Sequence, residues 1–149
     1  MKKRRLLRWL AVVVWFCLAV FLSQQAGPES ADTSNWLAVQ IVHILHLGDS
    51  VDYLLFHAIL RKVAHFLVHF ILAWLTYRAL SISYKLEANA IIGCLLICCT
   101  VAIFDEAIQN IAPERAARLL DATLNLLGVL AGTSVGVAAK KLQTKYCPK

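Results

Sequence analysis

The sequence predicts an all-α membrane protein: four transmembrane helices with an outward-facing polar cluster. Three observations carry this expectation. Of 149 residues, 60% are hydrophobic, and the mean hydropathy is +0.66. Soluble domains sit nearer half apolar. The apolar residues gather into four blocks: a shorter first one and three near the ~20 residues a helix needs to cross hydrocarbon. These blocks lack the period-two alternation of barrel strands and the polar outer faces of a soluble bundle. Finally, the ionisable residues that interrupt the blocks recur at one level of the bilayer once the chain is threaded as hairpins. The length fits a single domain, 1–149.

The first block runs from Trp9 to Leu22, after Lys2, Lys3, Arg4, Arg5 and Arg8. A basic start and a short apolar run resemble a signal peptide. Cleavage after Ala26 would place Gln24 where a small residue is needed, so a retained anchor is expected. Arg8 can snorkel to the interface. A long outer connection follows, from Ser23 to about Leu60. Its first part, to Asn35, is rich in Ser, Gln, Gly and Pro and reads as loop. Trp36, Leu37, Gln40, Ile41, Ile44 and Leu45 then keep helical spacing, which predicts a short interfacial helix at about 36–47. Gly48 would end it. Asp49, Ser50 and Asp52 suit the start of the next helix. His43 and His46 read as interfacial histidines.

The second block runs from Val63 to Leu80. The third runs from Ala88 to Phe104, with helix continuing toward Asn110. The fourth runs from Leu119 to Ala139. With the N-terminus in the cytoplasm, eleven basic residues and one acid, Glu87, fall inside; four basic residues and eight acids fall outside. The positive-inside rule counts the basic residues and sets both termini in the cytoplasm. The net charge of +6 resides mainly in the two ends. No basic surface with interleaved aromatics lies between them, so nucleic acid is not an expected partner; anionic membrane lipid is. Cys17, Cys94, Cys98 and Cys99 lie within apolar blocks and Cys147 in the basic tail. They form no disulfide framework and read as small packing residues.

The outer polar residues carry the functional signal. Ionisable groups at membrane depth are costly unless they face protein, water or one another. Arg61, His65 and His69 recur every four residues along one stripe, with Lys62 beside them. Asp105, Glu106 and Gln109 arrive at the same level from the third span. Asp121 and Asn125 do so from the fourth. Between those spans, Pro113 breaks or starts a helix, and Glu114, Arg115 and Arg118 follow. Arg61, Lys62 and Arg115 are candidate binders of phosphate or carboxylate, arginine through its bidentate fork. Gln109, Asp121 and Asn125 are candidate ligand contacts. His65 with Asp105 or Glu106 is the candidate catalytic set for proton transfer. His65 and His69 have the spacing of a zinc pair, but no glutamate follows His65, so HExxH is absent. A metal-assisted hydrolase is an alternative class, with a carboxylate as third ligand; no cofactor is otherwise implied. A charge network that only holds the bundle together is another alternative.

The fourth span adds a stripe of its own. Asp121, Asn125, Gly128 and Gly132 recur at spacings of four, three and four. Gly128, Gly132 and Gly136 form successive GxxxG steps, a surface that admits close helix approach. This predicts a centrally packed helix that orients the site. The same face is also a candidate for homo-oligomer assembly.

The pieces together resemble the VanZ-like family of small bacterial membrane proteins. The matching residues are Ser23-Gln24; Arg61-Lys62-x-Ala64-His65-Phe66; Asp105-Glu106-x-x-Gln109 with Pro113-x-Arg115; and Asp121-x-x-x-Asn125-x-x-Gly128 with Gly132. They span about 23–132. The family commonly has an acidic residue then tyrosine shortly after the His-Phe pair, where this chain has Val68 and His69. That departure removes a carboxylate beside His65. The resemblance implies a cell-envelope role, associated in named members with low-level resistance to teicoplanin. The expected function is binding, or acting on, an anionic lipid-linked or headgroup ligand on the extracytoplasmic side. A non-enzymatic structural or partner-binding protein is the rival class.

Overall fold

The computed structural model describes residues 2–24, 39–40, 53–111 and 119–146. Four long helices make up nearly all of them: α1 (Lys2–Gln24), α2 (Tyr53–Leu80), α3 (Glu87–Ile111) and α4 (Leu119–Tyr146). Among the described residues there is no strand. All four helices are long and apolar enough to cross a membrane. Leucine, isoleucine and valine side chains remain exposed along them, including Leu10, Val14, Leu67, Leu96, Ile103 and Leu130. In a bilayer these side chains meet lipid, where they incur none of the cost that water would impose.

The helices outrun the apolar blocks that predict them, α1 by starting at Lys2 rather than Trp9. α2 is continuous from Tyr53, so Arg61 and Lys62 lie within the helix, as their place on its stripe requires. α4 continues past Ala139 through Lys140, Lys141 and Lys145 to Tyr146. Lysine, leucine and glutamine are good helix formers, and no glycine or proline interrupts that stretch. The expected interfacial helix at 36–47 lies outside the described residues, save Val39 and Gln40, which are helical.

Contacts fix the directions. The N–H of Ser81 donates to the Tyr77 carbonyl at 2.8 Å, and those of Ser83 and Tyr84 donate to the Leu80 carbonyl at 2.8 and 3.0 Å. This tight turn sends α3 back antiparallel to α2. α1 is also antiparallel to α2, with Arg8 Nη1 donating to the Arg78 carbonyl at 2.7 Å and Trp15 Nε1 to the Val68 carbonyl at 2.9 Å. α4 runs parallel to α2, since Gly128, Gly132 and Gly136 face Phe66, Phe70 and Tyr77 in that order.

The α2–α4 seam is the tightest in the bundle. A Cβ on Gly128 would collide with the Phe66 carbonyl, and one on Gly132 with the Phe70 carbonyl. At Gly136 it would lie 2.7 Å from the Tyr77 ring. Glycine is needed here because the obstacle at the first two steps is backbone, which cannot swing aside. The glycine face is thereby consumed within the chain. The expectation that it serves homo-oligomer assembly is corrected: α2 already covers it. α3 completes the core with a stripe of small residues, Ala90, Cys94, Cys98 and Ala102, all buried. Cys94 and Cys98 pack as expected, Cys99 is half-buried and Cys17 is exposed. Cys94 adds polar contacts, with Sγ 3.3 Å from the Ala73 carbonyl and 3.4 Å from Thr133 Oγ1.

Candidate functional site

The stripe Arg61, His65, His69 on α2 meets one polar residue from another helix at each step. Four helical residues rise ~6 Å, so the steps descend into the bundle. At the mouth, Arg61 Nη2 lies 3.9 Å from Asp121 Oδ2 of α4. That is an ion pair too long for a hydrogen bond. The Arg61 side chain is 35% exposed and the Asp121 side chain 7%. One turn deeper, His65 Nδ1 lies 3.2 Å from Asn125 Oδ1 of α4. One turn deeper still, His69 Nε2 lies 3.5 Å from Asp105 Oδ2 of α3. Asn125 and His69 are buried at 0% and 2%, while the Asp105 side chain keeps 16% exposure.

The glycine stripe explains why these short side chains meet. Asp121 and Asn125 stand on the face of α4 that continues into Gly128 and Gly132. Close approach at Gly128, where an added Cβ would lie 3.3 Å from His69 Cβ, brings an asparagine within reach of a histidine one turn away. Sequence spacing places each residue on its stripe; the glycines supply the distance.

The geometry also assigns protons. With the amide oxygen of Asn125 facing the ring, Nδ1 of His65 is the donor in that contact. A carboxylate beside Nε2 of His69 favours a hydrogen on Nε2 there. Asn125 Nδ2 and His69 Nδ1, both buried, have no hydrogen-bond partner among the described residues. Buried polar atoms usually have one. The ladder thus presents a cation at its mouth, a His–Asn contact below it, and a His–Asp couple at the bottom.

Most candidate residues converge as the spacing suggests, with the pairs redistributed. Asp105 contacts His69 rather than His65, and the direct partner of His65 is an amide. His69, which stands where the family pattern has tyrosine, is therefore part of the cluster. Glu106 lies half-buried on α3 beside Asp105. Lys62 is exposed on α2. Gln109 belongs to α3, with its side chain outside the described set, and Pro113, Glu114, Arg115 and Arg118 also lie outside it. Among the described residues, no three His, Cys, Asp or Glu side chains gather closely enough to hold a metal ion.

Several buried polar groups escape a motif search. Thr76 and Tyr77 of α2 are fully buried, with Thr76 Oγ1 and Tyr77 OH unpartnered among the described residues. Both lie near the C-terminal end of the second span, Ala58–Leu80, where Tyr77 packs under Gly136 of α4, a pairing that no spacing within α2 announces. Thr133 is bonded within its own helix, donating to the Val129 carbonyl at 2.8 Å, a common way to satisfy a hydroxyl in lipid.

Four spanning helices around a buried polar ladder define a multi-pass helical membrane protein. The family model described as VanZ/LLP1 matches residues 8–140, and the chain belongs to that family. The match covers α2 and α3 entirely and most of α1 and α4, beyond the 23–132 that the motifs mark out. No match was found among curated proteins or among solved structures.

Proposed function

We propose that this protein is a cell-envelope membrane protein whose Arg61 end binds the anionic group of a lipid-linked or headgroup ligand on the extracytoplasmic side. The observation that carries the reading is Arg61 itself. Its guanidinium touches Asp121 only at 3.9 Å while remaining about one-third exposed. A bidentate Arg–carboxylate pair would have consumed the fork; this one leaves donors facing the mouth. Exposed Lys62 adds charge beside it, and the sequence places Arg115 at the same level. Below the mouth, His65 Nε2, His69 Nδ1 and Asn125 Nδ2 supply an acceptor, an acceptor and a donor for a neutral part of the ligand.

The charge distribution supports the sidedness. Arg8, Arg78, Lys85 and the lysines of α4 gather at the opposite end, which the positive-inside rule puts in the cytoplasm. Family membership supports an envelope role in a bacterial inner membrane and, as a proposal for this chain, altered susceptibility to teicoplanin.

A catalytic version uses His65 as proton acceptor through Nε2, with Asp105 and Glu106 as the nearby carboxyl groups. The rival class, a structural or partner-binding protein, draws on the fact that the three ladder pairs bridge helices. Paired measurements separate them. Arg115→Lys retains charge and loses the planar fork. A binding site predicts weaker retention of anionic lipid, or a shifted glycopeptide susceptibility, at unchanged folded yield. Catalysis further predicts that Glu106→Gln and His65→Ala abolish turnover while ligand still binds. If Arg115→Lys, Glu106→Gln and Lys62→Gln leave lipid retention and susceptibility unchanged, the binding reading fails.

A further inference from the structure

We propose that the opposite end of the bundle carries a second site, which binds the phosphate of an anionic phospholipid headgroup. It is the cleft between the start of α3 and the last turns of α4. The cleft measures about 350 Å³ and is lined by Glu87, Lys140, Lys141, Thr144 and Lys145. No residue of the Arg61 ladder reaches it, so it stands independently of the function proposed above.

Depth comes from the helix itself. The apolar part of α4 ends at Ala139, and ~20 residues before that point already fill the hydrocarbon thickness. The next turns, from Lys140 to Lys145, therefore project into the headgroup layer. Glu87 opens α3 at the same level, because its carboxylate lies 3.6 Å from Lys141 Nζ. Spacing comes next. Lys140 and Thr144 are four apart, as are Lys141 and Lys145, so all four side chains share one side of the helix.

Charge selects the occupant. Three lysines against one carboxylate leave two positive charges in the cleft. Glu87 occupies Lys141. Among the described residues, neither Lys140 nor Lys145 has a carboxylate within ion-pair distance. Lys145 instead stands 5.5 Å from the ring of Tyr146. Lysines near a helix C-terminus complement the helix dipole, which explains their sign. It does not explain a concavity between two helices with its cations turned into it. Lysine binds phosphate as a point charge without demanding one orientation, which suits a mobile headgroup. The shared chemistry is a phosphate anion; headgroup depth favours lipid over free phosphate as its source.

The test uses the full chain in nanodiscs of phosphatidylcholine, with and without added phosphatidylglycerol. Retained phosphatidylglycerol is read by native mass spectrometry and its stabilisation by thermal melting. Each lysine near an anionic headgroup is worth about a factor of five, so Lys140→Gln/Lys145→Gln should weaken phosphatidylglycerol retention by about 25-fold. Lys2→Gln/Lys3→Gln makes the same charge change on exposed residues of α1 outside the cleft, and should weaken retention less than three-fold. Glu87→Gln frees Lys141 and should strengthen retention. Equal losses in the two double variants would overturn a discrete site in favour of a diffuse positive end. Inorganic phosphate that reproduces the stabilisation in phosphatidylcholine alone would overturn lipid as the source. Loss of folded yield in the Lys140→Gln/Lys145→Gln protein would leave Glu87→Gln to decide, and unchanged or weaker retention in that variant would sink the proposal.

Discussion

Replacing Gly132 with alanine tests the seam on which the ladder depends. The new Cβ would strike the Phe70 carbonyl oxygen, with Phe70 C and Cα at 2.9 and 3.1 Å. All three atoms are backbone, so relief requires α2 and α4 to separate. Overpacking of this kind costs about 1–3 kcal/mol. Alanine returns roughly 1 kcal/mol through helix propensity. The net expectation is a loss of up to about 2 kcal/mol for Gly132→Ala. Gly93→Ala is the matched control on α3, where the new Cβ would meet Leu80 Cδ1 at 3.5 Å and Tyr84 at 4.0 Å. That is ordinary contact with side chains, so the propensity gain should survive and stability should hold or rise. The assay is reversible unfolding of both variants in the same detergent, scored against the unsubstituted chain. If Gly132→Ala proved as stable as Gly93→Ala, the inferred closeness of α2 and α4 would be wrong.

Three further outcomes follow from the same contacts. A double-mutant cycle of His65→Ala and Asn125→Ala should give a coupling of about 0.5–2 kcal/mol, the range of interhelical hydrogen bonds in membranes; a coupling near zero would remove the second step of the ladder. Trp15→Phe deletes the donor that holds α1 to the Val68 carbonyl and should destabilise by about 1 kcal/mol, read as a lower unfolding midpoint; no change would mean that this bond does not help dock α1. Alkaline phosphatase fused after Glu29 or Glu114 should be active, and fused after Lys85 or Lys145 inactive, as the charge distribution requires. Activity after Lys145 would reverse the sidedness proposed for the site.

The spans were legible because hydrophobic runs of membrane length have few other uses. Their ends were less so. Nothing in an apolar scan shows that α2 begins near Tyr53 or that α4 carries its lysines as helix, since polar residues with good helix propensity prolong a span silently. The stripes on α2 and α4 were legible from spacing, and so was the convergence of Arg61, His65, Asp121 and Asn125. The partner of each residue was not. Both histidines face the bundle, and the choice between Asp105, Glu106 and Asn125 depends on offsets of one turn between helices that share no local sequence. The use of the glycine stripe was equally open: a GxxxG face suits a neighbour in the same chain or in another copy, and only packing shows that α2 takes it.

Arg61→Lys addresses the central claim most directly. Lysine keeps the charge opposite buried Asp121, so the ion pair and the fold should persist, while the planar fork at the mouth is lost. Anionic lipid carried through purification is identified by native mass spectrometry, with a melt recorded on the same samples. A binding mouth at Arg61 predicts an unchanged melt and a loss of the specifically retained lipid. Identical lipid retention in the two proteins, at equal stability, would contradict it.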